Sequence, residues 1–211
     1  GTRCRAAGRR RRAYAAGAVR QQAVFGAVFA FASTSTPFFF GACAGAIAAG
    51  LPVDEQGQFS GDHLAGWINP LSIFCSFYAV GLCAFLAAIF MSSEAQRDGD
   101  PELTGVWRRR ALVMGVVLGL FSALGLLVVS NSAVQLWRGF LSDALPLVAL
   151  SSVSGFASMF CVWRSQYTVA VAAASITVGS VILGWGIAQY PLIIPPAIDV
   201  QNSMAPESVL W

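Results

Sequence analysis

The last apolar segment of the chain ends in Gly184-Trp185-Gly186-Ile187-Ala188-Gln189-Tyr190-Pro191. The run from residue 165 to residue 198 contains no charged side chain, and it is longer than the roughly 20 apolar residues that a membrane helix needs. The amphipathic rings of Trp185 and Tyr190 favour the headgroup level, and Pro191 cannot continue a helix. The segment therefore predicts a helix that crosses a membrane and ends at its surface.

Composition agrees with this interpretation for the whole chain. Hydrophobic residues make up 56% of it and charged residues only 11%, which lies outside the range of soluble domains and indicates an integral membrane protein. The net charge of +3 is too small and too dispersed to indicate a nucleic-acid partner. The five cysteines show no disulfide framework and no zinc spacing, so we interpret them as small buried hydrophobes.

Apolar segments recur along the chain and divide it into three regions. We predict an all-α, polytopic transmembrane helical bundle with a basic N-terminal segment at 1–22, a bundle at 23–190 and a C-terminal tail at 191–211. Polar loops are predicted at 51–66, at 92–110, where acids with glycine and proline indicate a solvated turn, and at 130–143. The five predicted spans are residues 23–50, 71–91, 111–129, 144–163 and 167–190.

The first span combines a proline with small residues. Pro37 removes a backbone donor within the span, and the hydroxyls of residues 33–36 can satisfy freed carbonyls, so we expect a kink there. Further along, Gly41 and Gly45 have the spacing that lets another helix approach closely. These glycines predict helix packing rather than chemistry.

Short signals in the later spans indicate helix starts and helix contacts. Asn69-Pro70 predicts a cap and first turn for the second span, with Trp67 as its interfacial anchor. In the third span, Gly115 and Gly119 repeat the close-packing spacing. The fourth span carries serines that suit helix-to-helix hydrogen bonds: Ser151, Ser152, Ser154 and Ser158.

The arginines predict the orientation of the bundle. Five spans define six flanking segments, and twelve of the 13 basic residues fall on the odd-numbered ones. By the positive-inside rule, the N-terminal end is cytoplasmic and the C-terminal tail is extracytoplasmic. Only residues 164–166 separate the last two spans, so these must form an antiparallel neighbouring pair.

The predicted spans contain no Asp, Glu, Arg or His. Ionisable groups at bilayer depth mark proton relays, ion paths and haem ligation, so we predict no catalytic centre, no metal site and no haem in this chain. The one histidine, His63, lies in a polar loop and is interpreted as solvated. Gln189 and Tyr190, with Trp185, are the only candidates for contact with a quinone or a partner, and interfacial capping explains them equally well.

Three stretches are more specific than the rest. The first two are Ser35-Thr36-Pro37-Phe38-Phe39-Phe40-Gly41-Ala42, followed by Gly45 and Gly50, and Trp67-Ile68-Asn69-Pro70-Leu71-Ser72. The third is Gly184 to Pro191, followed by Pro195-Pro196 and Ala205-Pro206. In order and spacing they resemble subunit II of the cytochrome bd-type quinol oxidases over residues 14–211, whereas residues 1–13 depart from that pattern. Because the family subunit is longer, we expect this chain to be a fragment holding about its last five helices.

The resemblance implies a multi-pass subunit of a terminal oxidase in the inner membrane of a bacterium or archaeon. Such an oxidase takes electrons from a membrane quinol and reduces oxygen to water in aerobic respiration. The family places haem b, haem d and quinol oxidation in the partner, subunit I, and leaves scaffold, interface and substrate access to subunit II. No cofactor is then expected in this chain itself, apart from a bound quinone or lipid.

Two alternatives stay open from the residues alone. A small-solute transporter or permease would use discontinuous helices and a polar site near the bilayer midplane, and the hydroxyl cluster beside Pro37 is the only feature in its favour. A purely structural membrane anchor would differ from an oxidase subunit only in its partner.

Overall fold

The fold is all-α, as predicted. The computed structural model describes residues 2–50, 67–190, 192–194 and 198–199, and Gly1–Pro37 and Phe38–Trp211 form separate compact units. His63, Pro191, Pro195-Pro196 and Ala205-Pro206 lie outside the described residues. The elements are α1 (Thr2–Ala49), α2 (Pro70–Arg97), α3 (Pro101–Ser132), α4 (Val134–Leu141), α5 (Leu145–Trp163), α6 (Tyr167–Gln189), β1 (Leu192–Ile194) and β2 (Ile198–Asp199).

Five of these helices are long and apolar enough to cross a membrane, so the prediction of a multi-pass membrane protein is confirmed. The two short strands pair antiparallel, with Leu192 opposite Asp199 and Ile194 opposite Ile198. The segments long and apolar enough to cross are Gln21–Ala49, Pro70–Arg97, Pro101–Ser132, Leu145–Trp163 and Tyr167–Gln189.

The connection between α2 and α3 is much shorter than the predicted loop at 92–110, and that prediction was wrong. α2 continues to Arg97, and α3 begins at Pro101. Asp100 is the N-cap of α3, and its side chain accepts a hydrogen bond from the backbone N–H of Leu103 at 2.9 Å. An acidic cap followed by proline at the first helical position is a start signal, so the polar residues extend two helices instead of forming a long turn.

The predicted loop at 130–143 was also wrong in part, because it contains the eight-residue helix α4. Leu136 is buried on one side of α4, whereas Gln135 and Arg138 are exposed. A helix this short gains its stability from packing rather than from propensity. It follows that α4 is stabilised by the residues against which it packs.

The start of α2 follows the predicted signal. The side chain of Asn69 accepts a hydrogen bond from the backbone N–H of Ser72 at 2.8 Å, and Pro70 occupies the first helical position. In α1, the hydroxyls of Thr34 and Thr36 donate to backbone carbonyls one turn earlier, at 2.9 Å each. The helix includes Pro37, and a kink at that residue stays a prediction.

Four helices of the second unit enclose the main core. α2 packs along α3, α5 packs along α6, and further contacts join α2 to α6 and α3 to α5. Ile89 and Val162 are fully buried there. The buried residues of this core are Leu82, Phe85, Ala88 and Ile89 of α2, Ala111 and Leu118 of α3, Cys161 and Val162 of α5, and Tyr167, Ala170 and Ala174 of α6.

Two of the four serines in α5 form the predicted interhelical hydrogen bonds. The hydroxyls of Ser154 and Thr177 lie 2.9 Å apart, and Ser158 donates to the backbone carbonyl of Ala170 at 3.0 Å. The predicted antiparallel pairing of α5 and α6 is therefore confirmed. The remaining two serines donate within α5 instead: Ser151 and Ser152, both to the carbonyl of Val148.

Gly41 and Gly45 bring residues 38–49 of α1 against α2, as their spacing predicted. A Cβ atom on Gly45 would lie 2.5 Å from the Cα of Ser72, and one on Gly41 would overlap the backbone of Cys75 and Ser76. Only glycine fits at either position. In α3 the close packing predicted for two glycines occurs at only one of them. Gly115 packs against the side chains of Met159 and Phe85, whereas a Cβ atom on Gly119 would have no neighbour within 4 Å.

Candidate functional site

The last turns of α6 pack against α4. A Cβ atom on Gly139 of α4 would lie 2.8 Å from the Cα of Ala188 and would overlap its carbonyl oxygen. The two helices therefore cross in backbone contact at Ala188, next to the candidates for contact with a quinone or a partner. A second apolar cluster surrounds the crossing, with buried residues Ala48, Leu71, Val129, Ala133, Leu136, Ala144 and Ala188.

Trp185 and Gln189 share one face of α6, because they are four residues apart. The ring of Trp185 packs against this second cluster, as do those of Trp137 and Phe140. The indole N–H of Trp185 and the side-chain amide nitrogen of Gln189 are both buried. Neither has a hydrogen-bond partner among the residues that the structure describes. Two buried donors of one helix face are thus unsatisfied.

Tyr190 does not join them. It is 66% exposed, and its backbone N–H closes α6 by bonding to the carbonyls of Gly186 and Ile187 at 3.2 Å. The structure therefore separates the three candidate residues into a buried pair, Trp185 and Gln189, and a tyrosine on the surface.

The chemistry available to the buried pair is hydrogen-bond donation. Indole can only donate, and the amide nitrogen of glutamine offers two N–H groups. An unpaired buried donor costs about 1–3 kcal/mol, so an oxygen acceptor placed between them would remove that penalty.

The opposite end of the bundle is rich in arginine. Arg108 of α3 is half-buried, and its guanidinium donates to the backbone carbonyl of Trp163, the last residue of α5, at 2.5 Å. A cation at a helix C-terminus is stabilised by the helix dipole and by the free carbonyls. This bond places the start of α3 beside the turn between α5 and α6, as alternating spans require.

Aromatic rings support the exposed guanidinium groups at this end. Arg164, in the turn after α5, lies over the rings of Phe160 and Trp163 at 5.3 and 5.6 Å, and Arg110 lies over Trp107 at 4.7 Å. Such contacts hold a cation against an apolar surface. An open cleft of about 420 Å³ lies at the same end and is lined by Gln96, Gly99, Asp100, Pro101, Thr104, Gly105, Arg108, Ser165 and Tyr167.

Comparison with protein families assigns the chain. The family model described as cytochrome bd terminal oxidase subunit II matches residues 3–211.

This chain belongs to the cytochrome bd terminal oxidase subunit II family.

The match includes most of the basic segment at 1–22, which the motif resemblance had left out over residues 1–13. No curated protein matches the sequence. Membership of the subunit II family confirms the resemblance that the three motifs predicted. The structure shows that each motif includes contact residues: Gly41 in the first, Ser72 in the second and Trp185 in the third.

Sequence reasoning missed two features of this subunit II chain. Gly139 was not singled out, although a glycine between Trp137 and Phe140 is an available signal for a close crossing. The bond from Arg108 to Trp163 had no sequence signal, because 55 residues separate its partners. Among the described residues, no three His, Cys, Asp or Glu side chains come together as a metal site would require.

Proposed function

We propose that this chain is the non-haem membrane subunit of a bd-type terminal quinol oxidase. One observation carries the proposal: the chain is a subunit II family member, and its five predicted spans, at 23–50, 71–91, 111–129, 144–163 and 167–190, contain no Asp, Glu, Arg or His. Proton relays and haem ligation in membranes depend on such residues. Quinol oxidation and oxygen reduction to water then fall to a haem-bearing partner, which would hold haems b and d.

The exposed surface of the bundle supports an assembled state. Large apolar side chains on every membrane helix are more than half exposed in the isolated chain, among them Phe29, Phe77, Leu120, Phe156 and Ile182. Lipid covers such side chains in a membrane, and a partner subunit covers part of them in a complex. The proposed setting is the inner membrane of a bacterium or archaeon, with the N-terminal end cytoplasmic and the C-terminal tail outside, because the arginines favour that orientation.

We assign the buried pair, Trp185 and Gln189, to assembly. The two donors lack acceptors within the described part of the chain, and a carbonyl oxygen of the partner, of a lipid or of a quinone would satisfy them. Loss of the pair should therefore impair assembly before it alters oxygen reduction.

Co-purification tests the proposed function. A tagged chain expressed with its neighbouring genes should retain a larger haem-bearing membrane subunit, and the same chain expressed alone should show no haem absorption. The proposal fails if the isolated chain binds haem or if no haem protein is retained. Transport of a small solute by liposomes that contain the chain alone would favour the permease alternative.

Substitutions separate the donor role of the pair from its packing role. Trp185→Phe keeps an aromatic ring but removes the N–H, and Gln189→Ala removes the amide. Each should lower the stability of the complex by about 1–2 kcal/mol, because the acceptor loses its hydrogen bond. The measurement is the yield of intact complex after a detergent challenge, with turnover normalised to haem.

Gln135→Ala is the matched control, because Gln135 is exposed on α4 at the same end and should leave the yield unchanged. A fully assembled Gln189→Ala complex with lost turnover would contradict the assembly role and indicate direct contact with substrate.

A further inference from the structure

We propose that the arginine-rich end of the bundle binds the phosphate of an anionic glycerophospholipid, with one acyl chain along α5. The site consists of the arginine pair, Arg108 and Arg164, and of the α5 stripe, which we define as Val153, Phe156, Phe160 and Trp163. The inference goes beyond the oxidase function, because it concerns the lipid that surrounds the subunit.

The arginine pair is close together and free of acidic partners. Arg108 donates to the carbonyl of Trp163, and Arg164 is the next residue of the chain. The one ion pair among the described residues joins Arg97 to Glu94, so neither guanidinium is neutralised there. Asp100 lines the same cleft as Arg108, but its side chain caps α3. Unneutralised guanidinium groups at the same end of α5 favour a phosphate.

The α5 stripe continues from this point along the outside of the bundle. Its members are 68%, 76%, 54% and 58% exposed, in the order in which they are named. Their spacing of three to four residues places them on one helix face. That face begins at the arginine pair and covers the second half of α5, a helix that can cross a membrane. An acyl chain covers such a face, and a soluble phosphate compound does not.

The position of Arg164 fits a headgroup in particular. Its guanidinium lies over Phe160 and Trp163, both members of the stripe. Tryptophan and arginine meet at the level where the apolar core gives way to headgroups. A lipid whose phosphate contacts Arg164 would therefore have its chain beside Phe160. Anionic lipids are also the ones that attract basic residues at a cytoplasmic surface, which is the side that the arginine count assigns to this end.

Lipid counting on the purified complex tests the proposal. The complex that contains this chain is delipidated in detergent, titrated with phosphatidylglycerol or phosphatidylcholine, and analysed by native mass spectrometry. The wild type should bind phosphatidylglycerol preferentially. Arg164→Gln should weaken that binding about fivefold, and Phe160→Ala should weaken the binding of both lipids. Arg164→Lys, which keeps the charge, should retain most of the preference.

Arg138→Gln is the matched control, because Arg138 is an exposed arginine on α4 at the other end of the bundle. It removes the same charge and should leave binding unchanged. The proposal is overturned if Arg164→Gln and Arg138→Gln have the same effect, if both lipids bind equally to the wild type, or if a partner subunit covers the stripe and no lipid binds. Displacement by glycerol phosphate at equal concentration would also overturn it, because that compound has no acyl chain.

Discussion

Replacement of Gly41 and Gly45 together by alanine is expected to separate residues 38–49 of α1 from α2. Added Cβ atoms would lie 2.7 Å from the Cα of Ser76 and 2.5 Å from the Cα of Ser72. The atoms that are met belong to the backbone and cannot rotate away. We expect the free energy of unfolding to fall by about 3 kcal/mol, the upper end of the range for overpacking. The midpoint of unfolding in sodium dodecyl sulfate measures this loss.

Gly26→Ala provides the control on the same helix. Gly26 has no neighbour within 4 Å of an added Cβ, and alanine is about 1 kcal/mol better than glycine in a helix interior. The control should therefore be neutral or slightly stabilising. A double variant as stable as Gly26→Ala would mean that α1 and α2 do not approach closely.

Gly139→Ala is expected to separate α4 from α6. The new methyl group would lie 2.8 Å from the Cα of Ala188 and 2.9 Å from its carbonyl carbon. α4 has only eight residues and depends on this contact. We therefore expect the free energy of unfolding to fall by about 2–3 kcal/mol. The crossing lies at Ala188, between Trp185 and Gln189 in the sequence, so the yield of assembled oxidase should fall together with the unfolding midpoint.

The comparison for this variant is Gly186→Ala, at the same end of α6. Gly186 has open space around an added Cβ, so that change should leave both the midpoint and the yield intact. If Gly139→Ala lowers the midpoint but assembly is normal, the crossing supports the fold alone, and our assignment of the buried pair to assembly loses its support.

The membrane bundle could be predicted from the sequence because its signals are local. Apolar length predicts each span, and the three residues between α5 and α6 require an antiparallel pair. The spacing of Gly41 and Gly45 also predicted a close contact correctly. It could not name the partner helix, because α2 is selected by the whole arrangement of the bundle.

The features that escaped prediction depend on contacts between distant segments. α4 is too short for its helical periodicity to be recognised in the sequence. It forms by packing against Ala188. The i,i+4 spacing puts Trp185 and Gln189 on one face from sequence alone. Their burial, however, follows from the helices packed around that face. The boundaries of α2 and α3 were a different case, since the Asp100-Pro101 start signal was present in the sequence and we interpreted it as a turn.

The three-residue turn between α5 and α6 has a consequence for biosynthesis. Ser165 adopts a left-handed backbone, with φ of 60°, to reverse the chain within this turn. At roughly 5–20 residues per second, α6 follows α5 from the ribosome within a few seconds. With so short a connection, the two segments enter the bilayer as one hairpin. Their contacts are close in sequence, so this pair should fold early and act as the template on which the more distant pairings assemble.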